Sequence, residues 1–501
     1  MATTSVLALG FVFRMALAAL LPPGYDEAYY LFYGQHLSLS YFDHPIAVGL
    51  WSWLGQMLGN SPLALRFPSV CGYTLALWLL GGATQRWFGS KARFWVVLLG
   101  SFSPLLFICG GVLLLPDAPL LLALAALLWW LARHPRVTPA SGREAVELGA
   151  IFAAITLSKY HALLVLPSLL GWTLAHPRAR RGWRQPWPWL AVGVWALLSA
   201  PLWIWNQQHG WVSWIFHAGR TGQGLNYTLD GSLLFLLSQL GMLFPTIGIL
   251  LLLSLWPCPP RESRCREVAG MLRWLVWPQM LVFVLLAGRM QVMASWLVPA
   301  WWMLLPLAAH WLARRSWTSL GLRVAGLSTA SILPPLLLLA AGQTRWGLLE
   351  PLLPTSSDPS AQLMSPQDLR ASLQANRVIW RALQQSDVIA SHRYEIPGFL
   401  ALALGPETTP RFTAFSGDPR GFAFWDPAHG LRGTQGVIFA PVEPGQPLHQ
   451  RHFPGITGPL EPLGVVQVRR AGRPSVALEF VRFGPLQAAY PRPYGATRQR
   501  S

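Results

Sequence analysis

Apolar runs at roughly 3–21, 63–85, 94–115, 119–132, 147–158, 161–175, 189–205, 231–256, 269–288, 295–313 and 318–341 leave this chain one kind of solvent to fold in. A helix of ~20 apolar residues spans the hydrocarbon of a bilayer, because it satisfies its own backbone groups where there is no water. Charged residues make up 12% of the chain, about half of the roughly 25% usual in soluble domains, and mean hydropathy is +0.38. The 27 tryptophans agree, since Trp collects at membrane–water interfaces. The sequence therefore predicts a polytopic α-helical membrane protein with about 11 transmembrane helices. The runs 119–132, 147–158 and 161–175 are short for a perpendicular crossing and are expected to tilt, extend into the interface or re-enter.

Charge orients these helices. Basic clusters at Arg86, Lys91 and Arg93, at Arg133, Arg136 and Arg143, at Arg178 to Arg184, at Arg261 to Arg266, and at Arg314 and Arg315 all fall in alternate loops. Positive loops stay cytoplasmic, which puts the N-terminus inside and the chain beyond about residue 343 outside. The net charge of +18 is thus a topology signal, and nucleic acid is not an expected partner. The first run lacks a charged lead and a cleavage site, so it reads as a retained helix. The four cysteines are scattered, and the spacing of Cys258 and Cys265 fits no common zinc pattern. The outer loops hold few basic residues, chiefly Arg66, Lys159, Arg220 and Arg289. A shared anionic ligand at the outer face explains cations on the side that topology disfavours. Separate snorkelling to headgroups is the alternative.

Two domains follow: a transmembrane part over 1–342, with a first outer loop at 22–62, and a soluble-looking α/β domain over 343–485. Ser365-Pro366-Gln367-Asp368 is a helix start, with Ser at the N-cap and Pro at the first position, and the helix is expected to reach about Gln385. Short apolar strands are expected at 388–390, 436–439, 465–468 and 476–481, and a second helix at 394–404. Residues 486–501 are Pro- and Arg-rich and are expected to be a disordered tail.

Ionisable residues beside hydrocarbon are costly, so they mark candidate sites. Asp26 and Glu27 emerge directly after the first run, and Asp43-His44-Pro45 follows. A carboxylate there can take a proton from a hydroxyl or amine, or hold a divalent cation. Adjacent carboxylates point different ways, so one is expected to act while the other orients or pairs. His44 is a candidate contact for phosphate or metal. Pro116-Asp117-Ala118-Pro119 aims a carboxylate at the membrane face, or caps the helix that follows. Ser158-Lys159-Tyr160-His161 brings a cation, and Asn206 to His209 sets amides among tryptophans, as carbohydrate recognition requires. There is no Walker sequence, dinucleotide fingerprint or His-Glu-x-x-His. A donor used outside the cell's nucleotide pool must then arrive on a lipid.

Asp26-Glu27-Ala28-Tyr29-Tyr30, Tyr41-Phe42-Asp43-His44-Pro45, Pro116-Asp117-Ala118-Pro119, Leu157-Ser158-Lys159-Tyr160 and Trp205-Asn206-x-x-His209-Gly210-Trp211 occur in that order. This series resembles the bacterial branch of the dolichyl-phosphate-mannose protein mannosyltransferase superfamily, GT-C membrane glycosyltransferases that include the lipid A aminoarabinose transferases. The likeness covers about residues 1–310. It extends loosely to the outer domain through Ser391 to Glu395 and Phe424-Trp425-Asp426. It implies transfer of a sugar from a polyprenyl phosphate to a lipid, glycan or protein at the periplasmic face of the bacterial inner membrane, with inversion. It also implies Asp26 as the catalytic carboxylate, supported by Glu27 and Asp117, and Lys159, Arg220, Arg289 and His44 around the donor phosphate. Tyr29, Asp43, Tyr160, Asn206 and His209 become substrate contacts, and Asp26 and Asp117 are candidate ligands for a divalent cation. His44 stands where the aminoarabinose transferases carry lysine, which leaves sugar and acceptor open. A lipid-linked-sugar flippase or transporter is the alternative, although such proteins place polar groups near the midplane and often show inverted repeats.

Overall fold

The structure is a computed structural model that describes residues 2–221, 226–256, 263–315, 320–350, 352–353, 357–405, 410–425, 430–453, 455–456, 458–488 and 490. The membrane part runs α1 (Ala2–Leu20), α2 (Tyr25–Gln35), α3 (Ala47–Met57), α4 (Pro62–Phe88), α5 (Ser90–Phe102), α6 (Pro104–Gly111), α7 (Asp117–Arg133), α8 (Gly142–Thr156) and α9 (Val165–Ala175). It continues with α10 (Pro177–Gly182), α11 (Pro186–Gln208), α12 (Val212–Thr221), α13 (Leu229–Met242), α14 (Pro245–Leu253), α15 (Ser263–Ala287), α16 (Val298–Arg314) and α17 (Leu320–Trp346).

Each of the eleven apolar runs lies on helix. Among the described residues, however, only six helices are long and apolar enough to cross a bilayer alone: α1, α4, α11, α15, α16 and α17. Two bent pairs raise this to eight. α5 and α6 meet at 74° and α13 and α14 at 117°, each with a proline opening the second helix, where the missing N–H and ring clash break the ladder. The three short runs remain short, as α7, α8 and a 3-10 turn at Tyr160–Leu164 that leads into α9. By length and composition, the described residues thus hold six to eight candidate spans, and the expected eleven or so are not all long enough to cross alone.

The first outer loop is not a loop. It folds into α2 and α3, 11 residues each, too short to be read as spans. These two helices lie between the bundle and the C-terminal module. The module contains α18 (Pro366–Ala375), α19 (Arg377–Gln384), β1 (Val388–Ser391), α20 (Pro397–Leu404), β2 (Arg411–Ala414), α21 (Phe422–Trp425), β3 (Gly436–Pro441), β4 (Glu461–Arg470) and β5 (Arg473–Phe483). Its sheet has the order β2-β1-β3-β5-β4, with β1 parallel to β2 and β3, and the β3–β5 and β5–β4 pairs antiparallel. Ile389 faces Phe412 on one side and Val437 on the other.

Four strands and the helix start at Ser365 fall where the sequence places them, and the second helix starts three residues later than expected, at Pro397; other details differ. The single helix expected to Gln385 breaks at Asn376, whose side chain accepts from Ile379 N and starts α19. β2 carries only one strongly apolar residue and was not expected. The tail also begins later than 486: Leu486 is buried and donates to Thr434 O at 3.0 Å, and the Tyr490 ring stacks 4.3 Å from Phe415. Residues 491–501 lie outside the described residues.

Docking of the module is close. α20 crosses α2 at Gly398, where a Cβ would stand 1.8 Å from Ala28 O, so no residue but glycine fits. Ala28 belongs to the module's own core, with Leu369, Phe399 and Leu400. A second apolar cluster joins Tyr29, Phe32 and Tyr33 of α2 to Leu114, Ala414 and Phe422.

Candidate active site

α2 begins because Pro22-Pro23-Gly24 ends α1 and Glu27 closes a capping box, its Oε2 accepting from Gly24 N at 2.9 Å. Asp26 and Glu27 fall in the first turn, where the helix dipole favours carboxylates. One residue apart, they face different partners. Arg66 donates to Glu27 through Nε at 2.8 Å and Nη2 at 2.6 Å, and its remaining donors reach the carbonyls of Ala18, Leu21 and Pro22 at the end of α1. Leu114 N also donates to Glu27 Oε1 at 2.8 Å, which ties α2 to the loop before α7. Glu27 is thus a buried structural acid, and Arg66, expected to serve an anionic ligand, is spent on it.

Asp117 and Lys159 form a second buried pair, with Nζ 2.9 and 2.8 Å from the two carboxylate oxygens. Asp117 is the first residue of α7, not its cap, which is Pro116. Asp43 is the third paired acid. It accepts from Tyr33 Oη and from Arg420 Nη1, the latter at 2.8 Å, and its backbone oxygen accepts from His217 Nε2 at 3.1 Å. The turn carrying it is held by Tyr41, whose N–H reaches His44 O and whose hydroxyl donates to Tyr33 O at 2.8 Å. Burial opposes ionisation of Asp43, but Arg420 above all, with the Tyr33 hydroxyl, outweighs it and holds its carboxyl below the usual range.

Asp26 alone of the four motif acids keeps its carboxylate without a hydrogen bond among the described residues. It is half-buried. Burial first, and then the Asp43 carboxylate, push it up to about 6. The charges that bear on it are Asp43, Arg420, Glu395 and Lys159. An unpaired carboxylate of raised basicity, surrounded by acids that all have partners, is suited to accept a proton.

The other expected site residues divide. Burial pushes His44 down to about 3, so it stands neutral and offers phosphate no charge. The Tyr29 hydroxyl accepts from Gly421 N at 2.8 Å, and its ring packs on Tyr394, which makes it a docking residue for the module. Tyr160 and Asn206 do meet, with Nδ2 3.4 Å from Oη. The Asn206 Oδ1 is buried without a hydrogen-bond partner among the described residues. His209 donates to Trp205 O at 2.7 Å and lines a cavity of about 180 Å³ with Ser38, Gln208, Phe424 and Trp425. Arg289 is exposed and lines a different cavity of about 460 Å³ with Asn226, Thr228 and Gln291. The side chain of Arg220 lies outside the described residues. Among those residues no three His, Cys, Asp or Glu side chains converge on a metal position.

Residues 43–205 match the family model described as dolichyl-phosphate-mannose-protein mannosyltransferase. The whole fold superposes on ArnT from Cupriavidus metallidurans bound to undecaprenyl phosphate, with TM-score 0.61 and 16% identity over 96% of this chain and 97% of that one. The chain therefore has the GT-C fold of that protein. The apo state of the same ArnT gives TM-score 0.59 and 15% identity, again over 96% and 97% of the two chains. No curated protein sequence matches. Against this GT-C frame the main omission of the sequence reading is Arg420. It sits 377 positions from the acid it pairs with, and the family-like stretch at Phe424-Trp425-Asp426 begins only after it.

Proposed function

We propose that this GT-C protein transfers a sugar, hexose or pentose, from a polyprenyl phosphate to a lipid, glycan or protein acceptor. The reaction takes place at the periplasmic face of a bacterial inner membrane, with the N-terminus cytoplasmic. The observation that carries this reading is the free, basic carboxylate of Asp26, ringed by acids that already have partners. The undecaprenyl phosphate bound by the structurally similar ArnT supports the donor class.

In such a transfer the acceptor's hydroxyl or amine attacks the anomeric carbon from the face opposite the phosphate. The new bond to that carbon forms as its bond to the phosphate oxygen breaks, and the configuration inverts. Asp26 takes the acceptor's proton, and the lipid phosphate leaves with the bonding pair. Stabilising that anion is a large part of the task. The Arg289 side chain is exposed for this role, Arg220 follows His217 by one helical turn on α12, and Lys159 contributes once its hold on Asp117 loosens. A divalent cation does not fit the donor set. Asp43, Asp117 and Glu395 are each already paired with a cation, to Arg420, Lys159 and Arg393, so Asp26 has no second free carboxylate beside it.

Two tests follow. Mass spectrometry of envelope lipids and glycans, with and without the gene, is expected to show one product losing a sugar while its polyprenyl-phosphate donor accumulates. An unchanged glycan profile with the lipid-linked sugar trapped on the inner leaflet would instead indicate a flippase. The pH profile supplies the second. Because the acceptor's proton needs the ionised carboxylate, activity should fall as pH drops through about 6, rather than near the ordinary carboxylate value. An acid limb that stays near 4 would remove Asp26 from the role of base.

A further inference from the structure

Arg420 takes a backbone conformation that its side chain does not favour. Its φ is +44°, in the left-handed region that a non-glycine residue disfavours. Such a conformation persists where the surroundings over-determine it, and here they do. Nη1 donates to Asp43 Oδ2 at 2.8 Å and Nε to Asp418 Oδ2 at 3.3 Å. The guanidinium carbon lies 4.0 Å from the Tyr394 ring centre and 5.1 Å from that of Phe216. The next residue, Gly421, donates its N–H to Tyr29 of α2, and a Cβ there would stand 2.4 Å from the Trp425 ring and 2.9 Å from Tyr29 Oη. The backbone is pressed onto α2 at the same point where the side chain reaches past it.

That reach has an electrostatic reason. Asp26 and Asp43 repel each other across a partly desolvated space, and a pair of like charges there stays ionised only with a cation beside it. Asp43, Arg420, Glu395 and Lys159 are the charges facing Asp26. Lys159 is held by both oxygens of Asp117, and Glu395 is held by Arg393. Arg420 is the cation in direct contact with Asp43.

We propose that Arg420 is a positioning residue of the transfer site, supplied by the C-terminal module, which fixes Asp43 against α2 and keeps the anionic surroundings of Asp26 assembled. The inference rests on the glycosyltransferase reading above and gives the module a part in it. The module is then half of the site, and its docking and the chemistry are coupled. Arg420 acts through Asp43 and touches no reacting atom in this account.

The test uses the full-length protein in cells lacking the chromosomal copy, complemented by wild type, Asp26→Asn, Arg420→Gln or Arg420→Lys. Product is read by mass spectrometry of the envelope, and module docking by limited proteolysis of the purified variants. Arg420→Gln is expected to lower product by about 10²-fold, the scale set by misplacing a site group. The module should stay protease-resistant, because the α20–α2 contact at Gly398 and the Gly421–Tyr29 bond remain. Arg420→Lys, which keeps the charge, should recover much of the product. A merely structural clamp would release the module in step with the loss and gain nothing from lysine, and that result overturns the inference. So does full product from Arg420→Gln where Asp26→Asn gives none. Equal product from wild type and Asp26→Asn would sink the glycosyltransferase reading itself, a separate failure.

Discussion

Replacing Asp26 with Asn should lower transfer by about 10²-fold or more, the usual contribution of a positioned general base, while the protein still folds. Asn keeps the shape and occupies the same place in the first turn of α2, but it cannot take a proton. The stability effect has a definite sign. The folded-state carboxyl is raised to about 6 against an ordinary value of 3.8. Its favourable contribution is therefore present below the unfolded value and is lost as pH rises through 6. At pH 7 the ionised group opposes folding by an amount on the order of 3 kcal/mol, which the Asn variant escapes. Asp26→Asn should thus melt slightly higher than wild type at pH 8 and lose that advantage below about pH 4. Activity assays alongside melting curves at both pH values check the pair of expectations. An active variant, or one that unfolds at pH 8, contradicts the role given to Asp26.

The family likeness singles out Asp26, but the physical ground for that distinction could not be read from the chain. Glu27, Asp43 and Asp117 lie in motifs as prominent as that of Asp26. What separates them is a partner in space: Arg66 at 39 positions, Arg420 at 377 and Lys159 at 42. Periodicity reports faces of a single element, and none of these pairs shares one. The cations carry a second explanation of the same kind. Arg66 and Lys159 each answer a buried carboxylate, a local cause that charge counting cannot tell from a bound phosphate.

Other features were legible because they are local. The apolar runs fixed the helices, and Ser365-Pro366 with Asp368 three residues after the cap marked the start of α18, whose Ser365 Oγ accepts from Asp368 N at 3.2 Å. Helices α2 and α3 escaped because each is 11 residues long, half a span, and α2 mixes tyrosines with acids. Its faces make sense only against two partners. Glu27 turns to the bundle, whereas Ala28 and Tyr29 turn to the module, so the sequence of α2 is a compromise between two docking surfaces with Asp26 left over.

Glu27→Ala should be the most damaging single change at this face, and its damage should be to folding. It leaves the Arg66 guanidinium, 1% exposed, without a counter-charge. Breaking a buried pair from one side costs about 3–5 kcal/mol, because the remaining charge is neither solvated nor answered. It also strips Gly24 N and Leu114 N of their acceptor, at about 1–3 kcal/mol for each donor left buried and unpaired. Together these rival the whole stability of an ordinary domain, roughly 5–15 kcal/mol. Little folded Glu27→Ala protein should be recovered from membranes. Glu27→Gln, which keeps an acceptor but not the charge, should fall between the two. Membrane yield and detergent melting midpoints decide the matter. If Glu27→Ala melts like wild type yet transfers no sugar, the residue belongs to the chemistry, and the division of labour between the two adjacent acids is the reverse of the one drawn from Arg66.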